Sequence, residues 1–306
     1  MSILDRRVAL VTGKGGVGKT TVSTLIALRA ARAGKRTLLC ETSGSTQVPG
    51  LFGQKARGYE VTELAPNLHT MSITSDAAIE DYIVMQLKFR RLYKLVFRNR
   101  IVGPFVDAVP GLHDLIQLGK VFDLERNRRS NGSYEWDFIV IDAPATGHGL
   151  TMLASPRAMM DLTVSGPFHD NARDVASLYE DPARTALILV SLPEELPVHE
   201  TEELFGSLGS QRSLVRGIVL NEVHPSPVPD IAAYRALRPA LAAGADGAAQ
   251  EILRFADAGV GRAERQEEAR RRLSTLGPPV FGIPFLCDRA IGTRQLSELV
   301  GALEDL

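Results

Sequence analysis

Apolar residues are concentrated in short runs separated by longer, periodically polar stretches. Six such runs, "RRVALVT" (6–12), "RTLLCE" (36–41), "DFIVID" (137–142), "TALILVS" (185–191), "GIVLNE" (217–222) and "PVFGIP" (279–284), are rich in Val, Ile and Leu. Near-continuous apolar runs of this length are what strands buried on both faces require, so the chain reads as α/β: a mostly parallel sheet flanked by helices. Two stretches break the alternation. From about 76 to 131 the pattern turns helical, with Ile79, Ile83 and Leu87 at i, i+4 spacing, and predicts a helical subdomain inserted into a discontinuous core of residues 1–75 and 132–306. The second, about 225–277, is an Ala-, Arg- and Glu-rich helical excursion with "AAGADGAA" (242–249) as a break between helices.

The first run leads into the most informative segment. Gly13 to Thr20 fits G-x-x-x-x-G-K-[ST], with a strand before it and "TVSTLIALRAARAGK" (21–35), a good helix pattern, after it. Gly13, Gly15, Gly16, Val17 and Gly18 supply main-chain N–H groups that close around phosphate oxygens, and the following helix from Thr20 and Thr21 adds the positive end of its dipole. Lys19 reaches the β/γ-phosphates, and the Thr20 hydroxyl suits Mg²⁺. Asp142, at the end of an apolar run, is placed to hold the water shell of the same ion. ATP and Mg²⁺ are therefore the expected ligands. A second lysine, Lys14, sits near the start of the loop, where phosphate binding within one chain does not need it. It reads either as a solvated surface cation or as a group with a task of its own.

"KGGVGKTT" resembles the deviant Walker A signature of a SIMIBI-type branch of P-loop NTPases, whose members form face-to-face dimers with the signature lysine reaching the partner's nucleotide. "DAPATGHGL" (142–150) is similar to the switch II sequence of the ArsA and tail-anchored-protein-targeting family, also called anion-transporting ATPases. Further similarities follow in the family's order: "PGLHDLIQLGKV" (110–121), "LPEELPVHETEEL" (192–204), "GIVLNEV" (217–223) and "GIPFLCDRAIG" (282–292). The resemblance implies a Mg²⁺-dependent ATPase acting as a dimer switch, a homodimer or a heterodimer with a related subunit, with Lys14 acting in trans. It also implies that Asn221 binds the adenine edge, with Pro284 and Phe285 lining the base. Asn221 read without the family is a strand-end turn residue, and His148 is given no catalytic role.

Departures from the family pattern narrow this. Only Cys40 and Cys287 are present, neither in a C-x-x-C pair nor in the helical insertion, which argues against an arsenite pump and against a zinc-clamped dimer. In "CETSGSTQVPG" (40–50), Ser43 stands where the family carries a water-orienting aspartate. Serine is a poor proton acceptor at neutral pH, so slow turnover is expected, with Glu41, two residues earlier on the same strand face, either a substitute for the aspartate or a strand-end carboxylate near the Mg²⁺ shell. The weaker hydrolytic group leaves a second reading open, a nucleotide-dependent recruitment module with little hydrolysis. "KFRRLYKLVFRNR" (88–100), with its six cations and interleaved apolar residues, is either a face for a hydrophobic client or subdomain core. Six methionines in the whole chain give only modest support to a tail-anchored-client groove.

Composition excludes other classes. With 35 basic and 36 acidic residues, a net charge of -1 provides no general attraction to nucleic acid or anionic lipid, so membrane contact is expected only through a partner. The low cysteine count and the lack of a secretory leader or long apolar span at the sequence level make the cytoplasm the expected location.

Overall fold

The computed structural model describes residues 2–42, 44, 46–87, 111–144, 148–288 and 290–306. Among them, eight strands form one sheet: β1 (Val8–Gly13), β2 (Thr37–Glu41), β3 (Thr62–Ala65), β4 (Leu68–Ser72), β5 (Phe138–Asp142), β6 (Thr185–Ser191), β7 (Val215–Val223) and β8 (Val280–Pro284). Their spatial order is β3-β4-β2-β5-β1-β6-β7-β8. All neighbouring pairs are parallel except β3 with β4.

Every residue of β1, β2, β5 and β6 is buried, the pattern that predicts central strands covered on both sides. The side-chain period of two divides the core. Leu10, Cys40 and Ile141 belong to one hydrophobic cluster, whereas Val11, Leu39 and Val140 belong to the other. Helix α1 (Lys19–Arg32) fills the second cluster together with α10 (Thr293–Leu299) and the closing turn Val300–Leu303.

The hairpin of β3 and β4 adds to the six expected strands. "TELA" and "LHTMS" mix apolar with polar residues instead of forming an apolar run, and only β3, at the sheet edge, has an exposed residue. Asn67, between them, takes the left-handed conformation with φ 63° that the tight connection needs.

On the first cluster's face lie α3 (Ser75–Leu87), α4 (Leu112–Arg126), α5 (His148–Leu162) and α6 (Pro167–Tyr179). Leu112, Leu115, Leu118, Val121 and Phe122 of α4 share the core of the sheet. Buried Gln117 donates to the carbonyls of Thr42 (3.1 Å) and Ile73 (3.0 Å), which fastens α4 across the C-terminal ends of β2 and β4. The basic, aromatic stretch 88–100 lies outside the described residues.

A short helix, α2 (Val48–Leu51), follows β2, and α7 (Glu195–Ser207) follows β6. The excursion after β7 is a helical hairpin, α8 (Ile231–Ala243) and α9 (Gly247–Ser274). Asp230 and Asp246 cap the two helices by accepting from the N–H groups of Ala233 and Ala249. The C-terminal half of α9 packs on the body through Val260, Gln266, Ala269 and Leu273, while Leu237, Leu241, Ile252 and Phe255 on the hairpin are exposed. Among the described residues, no helix is long and apolar enough to cross a membrane.

Candidate nucleotide site

In the loop from β1 to α1, Gly13 and Gly18 leave no room for a side chain. A Cβ on Gly13, where φ is 153°, would stand 2.3 Å from the Val190 carbonyl oxygen. Gly18 has φ 85° and occupies the N-cap of α1 with no side chain to bond the first N–H groups. Those groups and the helix dipole are left for an exogenous anion. Asn221 lies under the loop: its Nδ2 donates to the Val17 carbonyl at 3.0 Å, and a Cβ on Gly18 would come within 2.2 Å of that nitrogen.

Two lysines meet in the loop. Lys19 Nζ donates to the Lys14 carbonyl at 2.8 Å. Burial pulls the Lys19 pKa down, opposed by the charge of Asp142. Among the described residues, no carboxylate contacts this half-buried cation, the environment that a phosphate would relieve. Lys14 Nζ turns away from the loop centre and pairs with Glu200 Oε1 of α7 at 2.5 Å. The second oxygen, Glu200 Oε2, is buried and accepts no hydrogen bond.

Asp142 ends β5 beside β1 and is 2% exposed. Thr20 Oγ1 donates to Oδ2 at 2.7 Å and Ser23 Oγ to Oδ1 at 3.0 Å. Burial pushes this carboxyl's pKa up, while the two hydroxyl donors and the charge of Lys19 oppose that rise. A threonine hydroxyl and a carboxylate, oxygen donors both, fit Mg²⁺, which takes one or two carboxylates and completes its shell with water and substrate phosphates.

Glu41 pairs in register with Asp142, and it is buried. Its Oε1 accepts from the N–H groups of Gln47 (2.7 Å) and Val48 (3.1 Å), which makes it the cap of α2. That contact gives Glu41 a structural task at the start of α2, beside the expected one of proton acceptor. Ser43 and residues 145–147 lie outside the described residues, and His148 enters only as the first residue of α5. Gly149 follows it so closely packed that a Cβ would stand 2.2 Å from Thr12 Oγ1.

The strands beyond β6 carry or lead into Asn221, Pro284 and Phe285, the residues expected at the base. Between Leu220 and Val223 the pairing of β7 with β8 slips, and Glu222 adopts φ 59°, so a bulge at Asn221–Glu222 turns Asn221 beneath the loop. Val223 pairs with Pro284, which is exposed, and Phe285 N–H donates to the Val223 carbonyl at 3.0 Å. The Phe285 ring stacks on His224, with centroids 4.1 Å apart. Burial, with Arg262 as the second cause, lowers the His224 pKa and favours the neutral ring. Ser23, Glu200 and His224 escape the sequence reading. Only Ser23, one turn after Thr20 on the same helix, carries a periodic signal that points to it.

Comparison with known proteins places this arrangement. The model of the ArsA-type anion-transporting ATPase family matches residues 6–165. ATPase BagA of Mycobacterium tuberculosis is 31% identical over 225 residues, covering 72% of this chain and 66% of that relative. A protein described as an ATPase ASNA1 homolog from Plasmodium vivax is 26% identical over 70% of this chain and 62% of its own length. ATPase GET3 of Komagataella phaffii is 26% identical over 70% of this chain and 72% of its own. The chain thus spans just under two-thirds of the length of BagA. With the family match running from β1 through α5, and the sheet and loop arranged as described, this chain belongs to the anion-transporting ATPase family.

Proposed function

We propose that the chain is a Mg²⁺-dependent ATPase that cleaves ATP to ADP and phosphate slowly and uses its nucleotide state to switch a dimer. The observation that carries this reading is the half-buried Lys19, without a carboxylate in contact, at the helix N-terminus beside the Thr20–Asp142 pair. In it, main-chain N–H groups of Gly15 to Thr21 bind the β- and γ-phosphates and Lys19 neutralises them. Thr20 and Asp142 hold Mg²⁺, which when bound spreads the charge of the transferring phosphoryl group. Asn221, Pro284 and Phe285 surround the base.

Lys14 then serves the partner subunit's nucleotide, stabilising charge as water attacks phosphorus and the bond to ADP breaks. Within one chain its ammonium is 2.5 Å from Glu200, so reaching a partner requires leaving that ion pair. Turnover is slow because Ser43 replaces the expected aspartate and Glu41 is occupied as a helix cap. The same occupation of Glu41 favours a second reading, a recruitment module that dimerises on ATP and scarcely hydrolyses it. The partner is a second copy or a related subunit, and helices of the 76–131 region face a protein client. The cytosol suits the free thiols of Cys40 and Cys287.

Single-turnover hydrolysis by the wild type and by Ser43→Asp separates the readings. The expected outcome is slow cleavage that Ser43→Asp accelerates about a hundredfold, the low end of the range that a positioned base contributes. No cleavage in either protein, with ATP still bound, would leave the recruitment module.

A further inference from the structure

Gln266, which is 6% exposed, is a polar side chain buried in the face of α9 otherwise filled by Val260, Ala269 and Leu273. Both ends of its amide are spent on the main chain of a single residue. The N–H of His224 donates to Gln266 Oε1 at 2.8 Å, and Gln266 Nε2 donates to the His224 carbonyl at 2.8 Å. This reciprocal pair is what a strand would offer at that point, supplied here by a side chain.

The residue so held stands in a turn with little reason to hold its own shape. Just before it, Glu222 is forced to φ 59°, a conformation that costs a residue other than glycine on the order of 1–3 kcal/mol and persists only where surroundings over-determine it. Further contacts from the same helix confine the segment. A Cβ on Gly259 would stand 2.6 Å from Pro227 Cγ, and Arg262 Nη1 is 3.3 Å from His224 Nδ1. One turn beyond Gln266, Arg270 donates to the Val280 carbonyl at 3.1 Å. Helix α9 therefore grips the exit of β7, which carries Asn221, and the start of β8, which leads to Phe285. The imidazole of His224 stacked on Phe285 is fixed by the same grip.

We propose that Gln266 is a positioning residue for the nucleotide base: by clamping the main chain of His224 it fixes the bulge that presents Asn221 and the His224–Phe285 stack that walls the base. This rests on the reading of that wall as the base site. Gln266 touches no phosphate ligand and reaches the loop only through the Asn221–Val17 contact, so its effect falls chiefly on the base.

ADP and pyrophosphate, titrated in parallel by calorimetry, divide the site into its base and phosphate parts without turnover. In the wild type, ADP is expected to bind more tightly than pyrophosphate; equal affinities would show that the wall does not bind a base, and the reading beneath the proposal would fail. Given that difference, Gln266→Leu is expected to weaken ADP about tenfold, the order of a lost buried contact, while pyrophosphate is unchanged and preference for ADP over GDP shrinks. Equal weakening of ADP and pyrophosphate, or no change in either, would overturn the proposal, because a merely structural glutamine moves both or neither. If Gln266→Leu does not fold, His224→Ala keeps the main-chain clamp and removes only the ring. An ADP-selective loss in that protein supports the wall, and an unchanged ratio of ADP to pyrophosphate affinity overturns it.

Discussion

At Gly18 the phosphate loop and the base wall touch, so one methyl group there tests both. Its φ of 85° and the 2.2 Å approach to Asn221 Nδ2 are separate obstacles to a side chain. Gly18→Ala is expected to lower stability by about 1–3 kcal/mol from the backbone alone, with a further loss from the clash, and to weaken nucleotide binding. Combining it with Asn221→Ala removes the clash but not the backbone cost, so thermal unfolding should show the double variant recovering only part of the loss beyond Asn221→Ala itself. Additive losses in the two single variants would mean that the contact carries no coupling. Residues of this loop are legible in the sequence because their spacing along the chain fixes their spacing in space. Glu200 is not, since 186 positions separate it from Lys14 and only the folding of α7 beside β1 brings the two together. For Glu41 the strand position is readable, but its contacts with the backbone N–H groups of Gln47 and Val48 are not.

Elements are readable where apolar residues run together. The central strands announce themselves in this way, and so does the partly buried β8, whereas β3 and β4, joined at a left-handed Asn67, carry a pattern too short and mixed to stand out. Contacts between helices are decided by pairs no local pattern encodes. Arg272 of α9 forms a two-pronged bridge to Glu202 of α7, at 3.0 and 2.6 Å. The hydrogen bond from Arg272 holds the Glu202 carboxyl below the usual carboxylate range, against a smaller opposing effect of burial. Folded Glu202 therefore releases its proton more readily than in the unfolded chain, so the bridge contributes fully above the ordinary glutamate pKa. Its contribution is lost as pH falls through the lowered value. Both groups are partly in solvent, which limits the effect: Arg272→Met is expected to cost about 0.5–1 kcal/mol in urea unfolding at neutral pH. The two proteins should converge as the medium becomes acidic enough to protonate Glu202. A gap that stays constant across that range would assign the loss to packing of the arginine stem.

For the whole molecule, the alternation of strands and helices made the parallel sheet legible, because crossover connections require that order. Its consequence is that the loop, Asp142 and the Asn221 bulge all lie at the C-terminal edge of one sheet. The Lys14–Glu200 pair spans that edge and belongs to the single chain. On the proposed function, ATP-dependent association must break it, so Glu200→Gln should tighten the ATP-bound dimer. A partly exposed ion pair is worth up to about 1 kcal/mol, equivalent to about fivefold in the association constant seen by sedimentation. An unchanged constant would mean that the pair does not restrain association. The long helix α9 has a mechanical side as well. From Gln266 to its first residue, Gly247, at 1.5 Å per residue, it forms an arm of roughly 28 Å. A pivot of roughly 10° where Gln266 grips the strand exit would carry the hairpin tip roughly 5 Å, which makes this helix a lever with its short end at the base and its long end in solvent.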